Sequence, residues 1–253
     1  MIDAHAHLDD RRFADDLDAV VARAAAAGVD RVLSCAEDLA SSERNVLIAR
    51  RHKSVRIAVG VHPHRAESWD DDVRAMLDRL ARDDHVVAIG EIGIDLSGRS
   101  APRAAQEAAF LGQLALAKSL GLPVVVHVRD AGPFARELVD RAGGARGMVH
   151  CFSEGPDEVD EWMQRGFAVS FAGTVTYPKN DALRRAAARA SADRILAETD
   201  APYLATQGRR GERNEPAFVL DTLNALAAAR HEEPTELGRR IAENGRKLFG
   251  DRF

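Results

Sequence analysis

An excess of basic charge is what this chain lacks. Its 253 residues carry 35 Lys and Arg against 40 Asp and Glu, a net charge of −5 at pH 7. That balance excludes binding through a global positive field, so any nucleic acid must be held by local contacts. Cysteine is scarcer still, with only Cys35 and Cys151. Two cysteines make no disulfide scaffold, and both lie in apolar runs, which predicts buried, reduced thiols. No stretch of about 20 apolar residues occurs, which excludes a membrane-spanning helix. No cationic segment followed by an apolar one opens the chain, so the expected location is the cytoplasm. Absent too is a glycine-rich phosphate fingerprint after the first apolar run, which removes the main support for a Rossmann domain. Internal repeats and low-complexity linkers are lacking.

What is present is an alternation of two textures. Hydrophobic residues make up 45% and charged residues 30%, ordinary values for a chain that buries a core. Short apolar runs stand at 1–5, 31–36, 56–62, 86–93, 123–128, 147–152, 167–172 and 194–200. They are continuous, not alternating, as suits parallel strands covered on both faces. Helical patterns lie between them. In residues 100–123, Ser100 is a candidate N-cap, Pro102 falls in the first turn, and Gly121 with Pro123 ends the helix. Phe110, Leu114, Ala117 and Leu120 form its apolar stripe. Residues 215–249 read as two helices parted near Pro234. Eight strands alternating with helices over roughly 250 residues predict an α/β fold, a (β/α)8 TIM barrel, with 1–253 as one domain. An open doubly wound sheet is the structural alternative.

The polar residues at the strand ends carry the chemistry. Run one ends at His5 and His7, run four holds Glu91, run five His127, run six His150 and run eight Asp200. In a barrel the strand C-termini converge on one face. Residues i and i+2 of a strand project to the same side, so His5 and His7 can grip one ion together. Each residue alone has a plainer reading. A His inside an apolar run is commonly a satisfied core group, and a Thr-Asp pair commonly caps a helix. Six metal-ligand types at corresponding strand ends are harder to assign to chance. Imidazoles mixed with carboxylates suit zinc, manganese, iron or cobalt better than calcium. Six ligands exceed one catalytic ion's usual three, so two ions are expected, with Glu91 as the bridge. Two ions about 3.5–4 Å apart would clamp a phosphate or carbonyl oxygen and ionise a water. Asp200 is the candidate to accept that water's proton.

The motifs "DAHAHL" (3–8), "GVHPH" (60–64), "GEIGID" (90–95), "HVRDA" (127–131), "HCFS" (150–153), "ETDAPYL" (198–204) and "RGERNEP" (210–216) are in order and at matching spacing. Together they resemble the TatD family of metal-dependent deoxyribonucleases, within the amidohydrolase superfamily. The resemblance implies a barrel hydrolase that cleaves DNA phosphodiesters as a 3′-to-5′ exonuclease with two divalent ions, Zn, Mn or Mg. It implies one ion on His5, His7, Glu91 and Asp200, and the other on Glu91, His127 and His150. Glu91 and Asp200 would be the catalytic pair, while His62 and Arg129 would reach the substrate phosphate. DNA, single-stranded or at 3′ ends, is then the expected partner, with no membrane and a monomeric enzyme.

The chain departs from the family pattern in three places. No Tyr follows "GID", Val128 stands where a Ser is common, and "ATQGR" lacks the usual Pro and His. Substrate contacts supplied by those groups are in question, so C–N or ester hydrolysis, such as aminoacyl-tRNA deacylation, is the alternative reaction. A non-catalytic metal protein is a third reading, and the intact ligand set weighs against it. Other residues read as structural. His64 rims the pocket, His52 and His231 sit near helix C-termini, His85 is exposed, and Trp69 and Trp162 pack in helical segments. Asn214, Glu215 and Pro216 start a helix. Arg209, Arg210 and Arg213 either grip a phosphate backbone or form a solvated loop.

Overall fold

The computed structural model describes residues 1–98, 101–250 and 252–253. Among them, eight parallel strands follow one another in the order β1 to β8: Ile2–Ala6, Arg31–Cys35, Val55–Val59, Val86–Asp95, Val124–Arg129, Gly147–Val149, Phe167–Phe171 and Ile195–Ala197. Sequential neighbours throughout rule out the doubly wound sheet, whose strand order must reverse at a switch point. The ring closes where β1 meets the chain leaving β8. Ala6 bridges Ala201, the His7 N–H donates to the Ala201 carbonyl at 2.7 Å, and the Asp200 N–H donates to the His5 carbonyl at 2.9 Å. Asp3 clasps the same seam, its carboxylate accepting from the Thr199 N–H (2.9 Å) and hydroxyl (2.6 Å).

The runs form strands because both faces are covered. Every residue of β1, β4 and β7 is buried, as their unbroken apolar texture requires. Helices α1 to α9 surround them: Leu17–Ala26, Leu39–Arg51, Asp71–Leu80, Arg103–Leu120, Gly132–Arg141, Pro156–Gln164, Asp181–Arg189, Val219–Arg230 and Pro234–Phe249. Among the described residues, two of these helices carry side-chain N-caps. Asp38 accepts from the Ser41 N–H before α2, and Asp70 accepts from the Val73 N–H before α3. The stripe on α4 holds, with Phe110, Leu114 and Ala117 buried and Leu120 half-buried. Gly121 ends that helix in the left-handed region at φ 67°.

Several boundaries differ from the expectation. Pro102 is the N-cap of α4, not a first-turn residue, and the proposed cap Ser100 lies outside the described residues. β3, β6 and β8 stop at Val59, Val149 and Ala197, so His62, His150 and Asp200 stand on the segments just beyond the ladder. The reason is local backbone: Cys151 and Asp200 take positive φ values of 44° and 56°, which a parallel ladder cannot accommodate. His85 is half-buried, not exposed, because its ring is held 2.8 Å from Asp83. Trp69 follows a short 3-10 helix, whereas Trp162 lies fully buried within α6. Among the described residues no helix is long and apolar enough to cross a membrane.

Candidate metal centre

Backbone anchors deliver each side chain to the mouth of the barrel. The Glu91 N–H donates to the Ala36 carbonyl, the His150 N–H to Val126 and the His62 N–H to Glu37. Two glycines flank Glu91 for a steric reason. A Cβ on Gly90 would stand 2.6 Å from the Val125 Cβ, and one on Gly93 would stand 1.9 Å from the His127 carbonyl oxygen. Only glycine lets β4 press this closely on β5 and hold Glu91 against His127.

Glu91 is the hub, 1% exposed. Its Oε2 faces His5 Nε2 at 3.3 Å and His7 Nε2 at 3.6 Å. Asp200 Oδ1 completes that half, 3.7 Å from His5 Nε2 and 3.4 Å from His7 Nε2, and the two imidazole nitrogens are 3.2 Å apart. Glu91 Oε1 faces the other half: His150 Nε2 at 2.7 Å, His127 Nδ1 at 2.9 Å and His62 Nε2 at 3.2 Å. His127 Nδ1 and His150 Nε2 are 3.1 Å apart. The six expected ligands are therefore brought together, with His62 beside them. Arg129 ends β5 and is exposed.

Hydrogen bonds on the far side of each ring fix where its proton sits. His7 Nδ1 is 3.1 Å from the Cys35 carbonyl, which only accepts, so Nδ1 keeps its proton and a neutral ring offers the Nε2 lone pair to the centre. His150 Nδ1 faces Glu198 Oε1 at 3.3 Å, which likewise frees Nε2. His127 Nε2 faces Asp95 Oδ2 at 3.2 Å, which frees Nδ1. His62 has the opposite polarity. Its Nδ1 accepts from the His64 backbone N–H at 3.0 Å, so a neutral ring carries its proton on Nε2. Its geometry therefore makes it a donor toward Glu91 or a substrate oxygen, not a lone-pair ligand.

These groups fit a divalent ion. Glu91 Oε2 and His5 Nδ1 are buried without a hydrogen-bond partner. A lone buried carboxylate oxygen is costly, by about 1–3 kcal/mol or more, unless a cation answers it. Ligands about 2.0–2.1 Å from a tetrahedral zinc stand roughly 3.3 Å from one another. The separations in the His5, His7, Glu91 and Asp200 half, 3.2 to 3.7 Å, match that value.

Electrostatics follow the same plan. Burial works against a charge on Glu91, but His150, His62 and His5 around it hold its carboxyl well below the usual range. Burial likewise opposes the Asp200 charge, and His7 and His5 outweigh it and hold that carboxyl low. Burial pulls His7 down, yet Asp200 and Glu91 raise it to about 9. His62 has no such surplus, and burial pushes it down to about 4, so it is neutral near pH 7.

Some residues change roles on inspection. Arg209 donates to Asp221 and stacks over Phe218, and Arg213 donates to Asp16, so these two hold the loop after β8 in place. Asn214 donates to the Thr199 and Tyr203 carbonyls and braces the segment carrying Asp200. Asp3 and Glu198, both 0% exposed, escaped sequence reading. Glu198 had one signal, its place two residues before Asp200 in "ETD". Asp3 had none, because its partner lies across the seam.

A sequential barrel with paired imidazoles and carboxylates at its C-terminal mouth is the arrangement of a metal-dependent barrel hydrolase. A family model described as TatD related DNase matches residues 2–250. The chain is 37% identical over 259 residues to the protein named 3′-5′ ssDNA/RNA exonuclease TatD of Enterobacter lignolyticus, covering 99% of each. It is 38% identical over 262 residues to a Mycobacterium tuberculosis protein named uncharacterized metal-dependent hydrolase TatD, covering 99% of this chain and 98% of that one. The crystal structure of YJJV, a TatD homologue from Escherichia coli K12, superposes with a TM-score of 0.93 at 31% identity, covering 98% of this chain and 97% of that one. The chain belongs to the TatD-related DNase family.

Proposed function

We propose that this hydrolase removes nucleotides from the 3′ ends of single-stranded DNA, using two divalent ions. The observation that carries the proposal is the splitting of Glu91. One oxygen serves His5 and His7, and the other serves His127 and His150, each within 2.7 to 3.6 Å. A carboxylate so divided suits a bridge between two ions. When bound, divalent ions polarise a phosphoryl oxygen and lower the pKa of a coordinated water.

The chain's own residues supply the rest. Asp200, ionised at neutral pH and adjoining the His5–His7 half, accepts the proton of the attacking water, a role typically worth about 10²–10⁴-fold. His62 donates its Nε2 proton to a phosphoryl oxygen. Arg129, exposed at the end of β5, adds a cationic donor. Beside His7 opens a cavity of about 600 Å³ lined by Arg11, Arg44 and Arg65 and by Asp9, Asp10 and Glu37, with Arg44 paired to Asp9. Its size falls in the range of about 300–1,000 Å³ typical of ligand sites. We further propose that it works as a monomer in the cytoplasm, where its two free thiols, Cys35 and Cys151, stay reduced.

The test is nucleotide release from end-labelled single-stranded DNA. The protein is stripped by chelator and refilled with Mg²⁺, Mn²⁺ or Zn²⁺ in turn. Shortening from the 3′ end that returns with the ion and is absent in Glu91→Ala supports the proposal. No cleavage with any ion, despite two ions bound per chain, overturns the DNA reading and directs the search to ester and amide substrates.

A further inference from the structure

Asp95 stands outside the ligand set, yet more contacts converge on it than its place at the end of β4 requires. It is 2% exposed. Its main chain is clasped from α4 by one side-chain amide: the Asp95 N–H donates to Gln106 Oε1 at 2.8 Å, and Gln106 Nε2 donates to the Asp95 carbonyl at 3.0 Å. Its Oδ1 is taken by Ser97, whose backbone N–H donates at 2.9 Å and whose hydroxyl donates at 2.6 Å. This fixes the backbone and one oxygen and leaves Oδ2 a single aim. Oδ2 lies 3.2 Å from His127 Nε2 and 2.9 Å from His64 Nε2.

We propose that Asp95 is a positioning residue for the second ion alone, acting through His127, and that it also ties the rim imidazole His64 to that half of the site. The assignment rests on the two-ion reading above. Both neighbours of Oδ2 are imidazoles, and an ionised carboxylate only accepts. It therefore selects the His127 tautomer with the proton on Nε2, and the Nδ1 lone pair is left facing Glu91 Oε1 and His150 Nε2. Without Asp95, His127 loses the acceptor that selects its tautomer, because its other side-chain hydrogen-bond partners among the described residues, Glu91 and His150, both meet it at Nδ1. The first half has its own support. His7 is oriented by the Cys35 carbonyl, and neither His5 nor Asp200 is among the hydrogen-bond partners of Asp95. Loss of Asp95 must therefore be felt asymmetrically. Carboxylate partners behind metal-bound histidines typically contribute about 10–100-fold in ion affinity.

The experiment is calorimetric titration of the stripped full-length protein with Zn²⁺, without substrate. Wild type is expected to take two ions. Asp95→Ala is expected to weaken one of them about 10–100-fold and leave the other within threefold. Asp95→Asn, which keeps an accepting oxygen and the Gln106 clasp, is expected to fall between wild type and Asp95→Ala. It also serves if Asp95→Ala fails to fold. His64→Ala is expected to bind both ions as wild type does, which separates the two imidazoles on Oδ2. Two wild-type affinities in a folded Asp95→Ala overturn the assignment, and so does an equal loss of both ions. A wild-type isotherm with one site overturns the two-ion reading and this assignment with it. Two sites with the predicted asymmetry, but no nuclease activity, leave the assignment standing and remove the DNA proposal.

Discussion

Replacing Glu91 with Ala removes the carboxylate whose two oxygens face the two halves of the site. Zinc held by four protein ligands is bound by about 10–16 kcal/mol at pH 7, or roughly 2.5–4 kcal/mol per ligand. At 1.4 kcal/mol per tenfold, each ion in Glu91→Ala is expected to bind about 10²–10³-fold more weakly. Thermal unfolding reads this directly. At an ion concentration about 1,000 times Kd, one occupied site adds about 4 kcal/mol to stability. For a chain of this size that raises Tm by roughly 8–16 °C. The variant, at only about 1–10 times its own Kd, gains roughly 0.4–1.4 kcal/mol, or about 1–6 °C. The rise is read for each protein against its own metal-free Tm, because removing a buried charge paired with several imidazoles also changes the metal-free fold. A zinc-dependent rise in Glu91→Ala equal to that of wild type would refute the bridge.

Three further outcomes follow from named groups. Asp200→Asn is expected to keep most of its metal and lose turnover by about 10²–10⁴-fold, checked by metal content beside single-turnover rates; equal activity removes Asp200 from the reaction. Burial lowers His7, but Asp200 and Glu91 raise it in the metal-free protein to about 9, so the ring is protonated near pH 7.5 and must lose that proton to bind an ion. Zinc uptake is therefore expected to release protons and to strengthen as pH climbs toward about 9; identical heats of binding in buffers of different ionisation enthalpy would contradict this. The linked stability has the opposite sense: the His7 contribution to the metal-free fold is full below about 6.5 and fades as pH rises through about 9. Trp162→Ala tests the packing beneath the loops. That indole is fully buried, meets Phe167 edge-on with centroids 5.2 Å apart and donates to Glu154 at 2.7 Å, so about 3–5 kcal/mol of stability should be lost in urea unfolding with both ions still bound.

The barrel was legible because its physics is local and periodic. Continuous apolar runs mark strands covered on both faces, and eight of them in sequence leave few ways to close a sheet. The six ligand-type residues were legible because strand C-termini share a face, whatever the loops do. Strand ends were less so. His150 and Asp200 stand where the backbone leaves the ladder near positive φ, and no apolar pattern records that departure. Supporting carboxylates were hardest to read. Asp95, Glu198 and Asp3 gain their roles from partners 32, 48 and 196 residues away, and a buried acid looks like any other acid until its partner is known. The arginines of the "RGERNEP" loop show the reverse. Charge alone left Arg209, Arg210 and Arg213 open between a phosphate grip and a solvated loop, and Arg209 and Arg213 are in fact paired with Asp221 and Asp16.

The central claim is that turnover needs both halves of the Glu91 hub filled. The most direct measurement titrates stripped protein with Mn²⁺ or Zn²⁺ and follows, in the same samples, bound ions per chain and the rate of nucleotide release from 3′-labelled single-stranded DNA. Little activity is expected up to one ion per chain, with a plateau at two. Full activity at one ion per chain, or in the stripped protein, would contradict it.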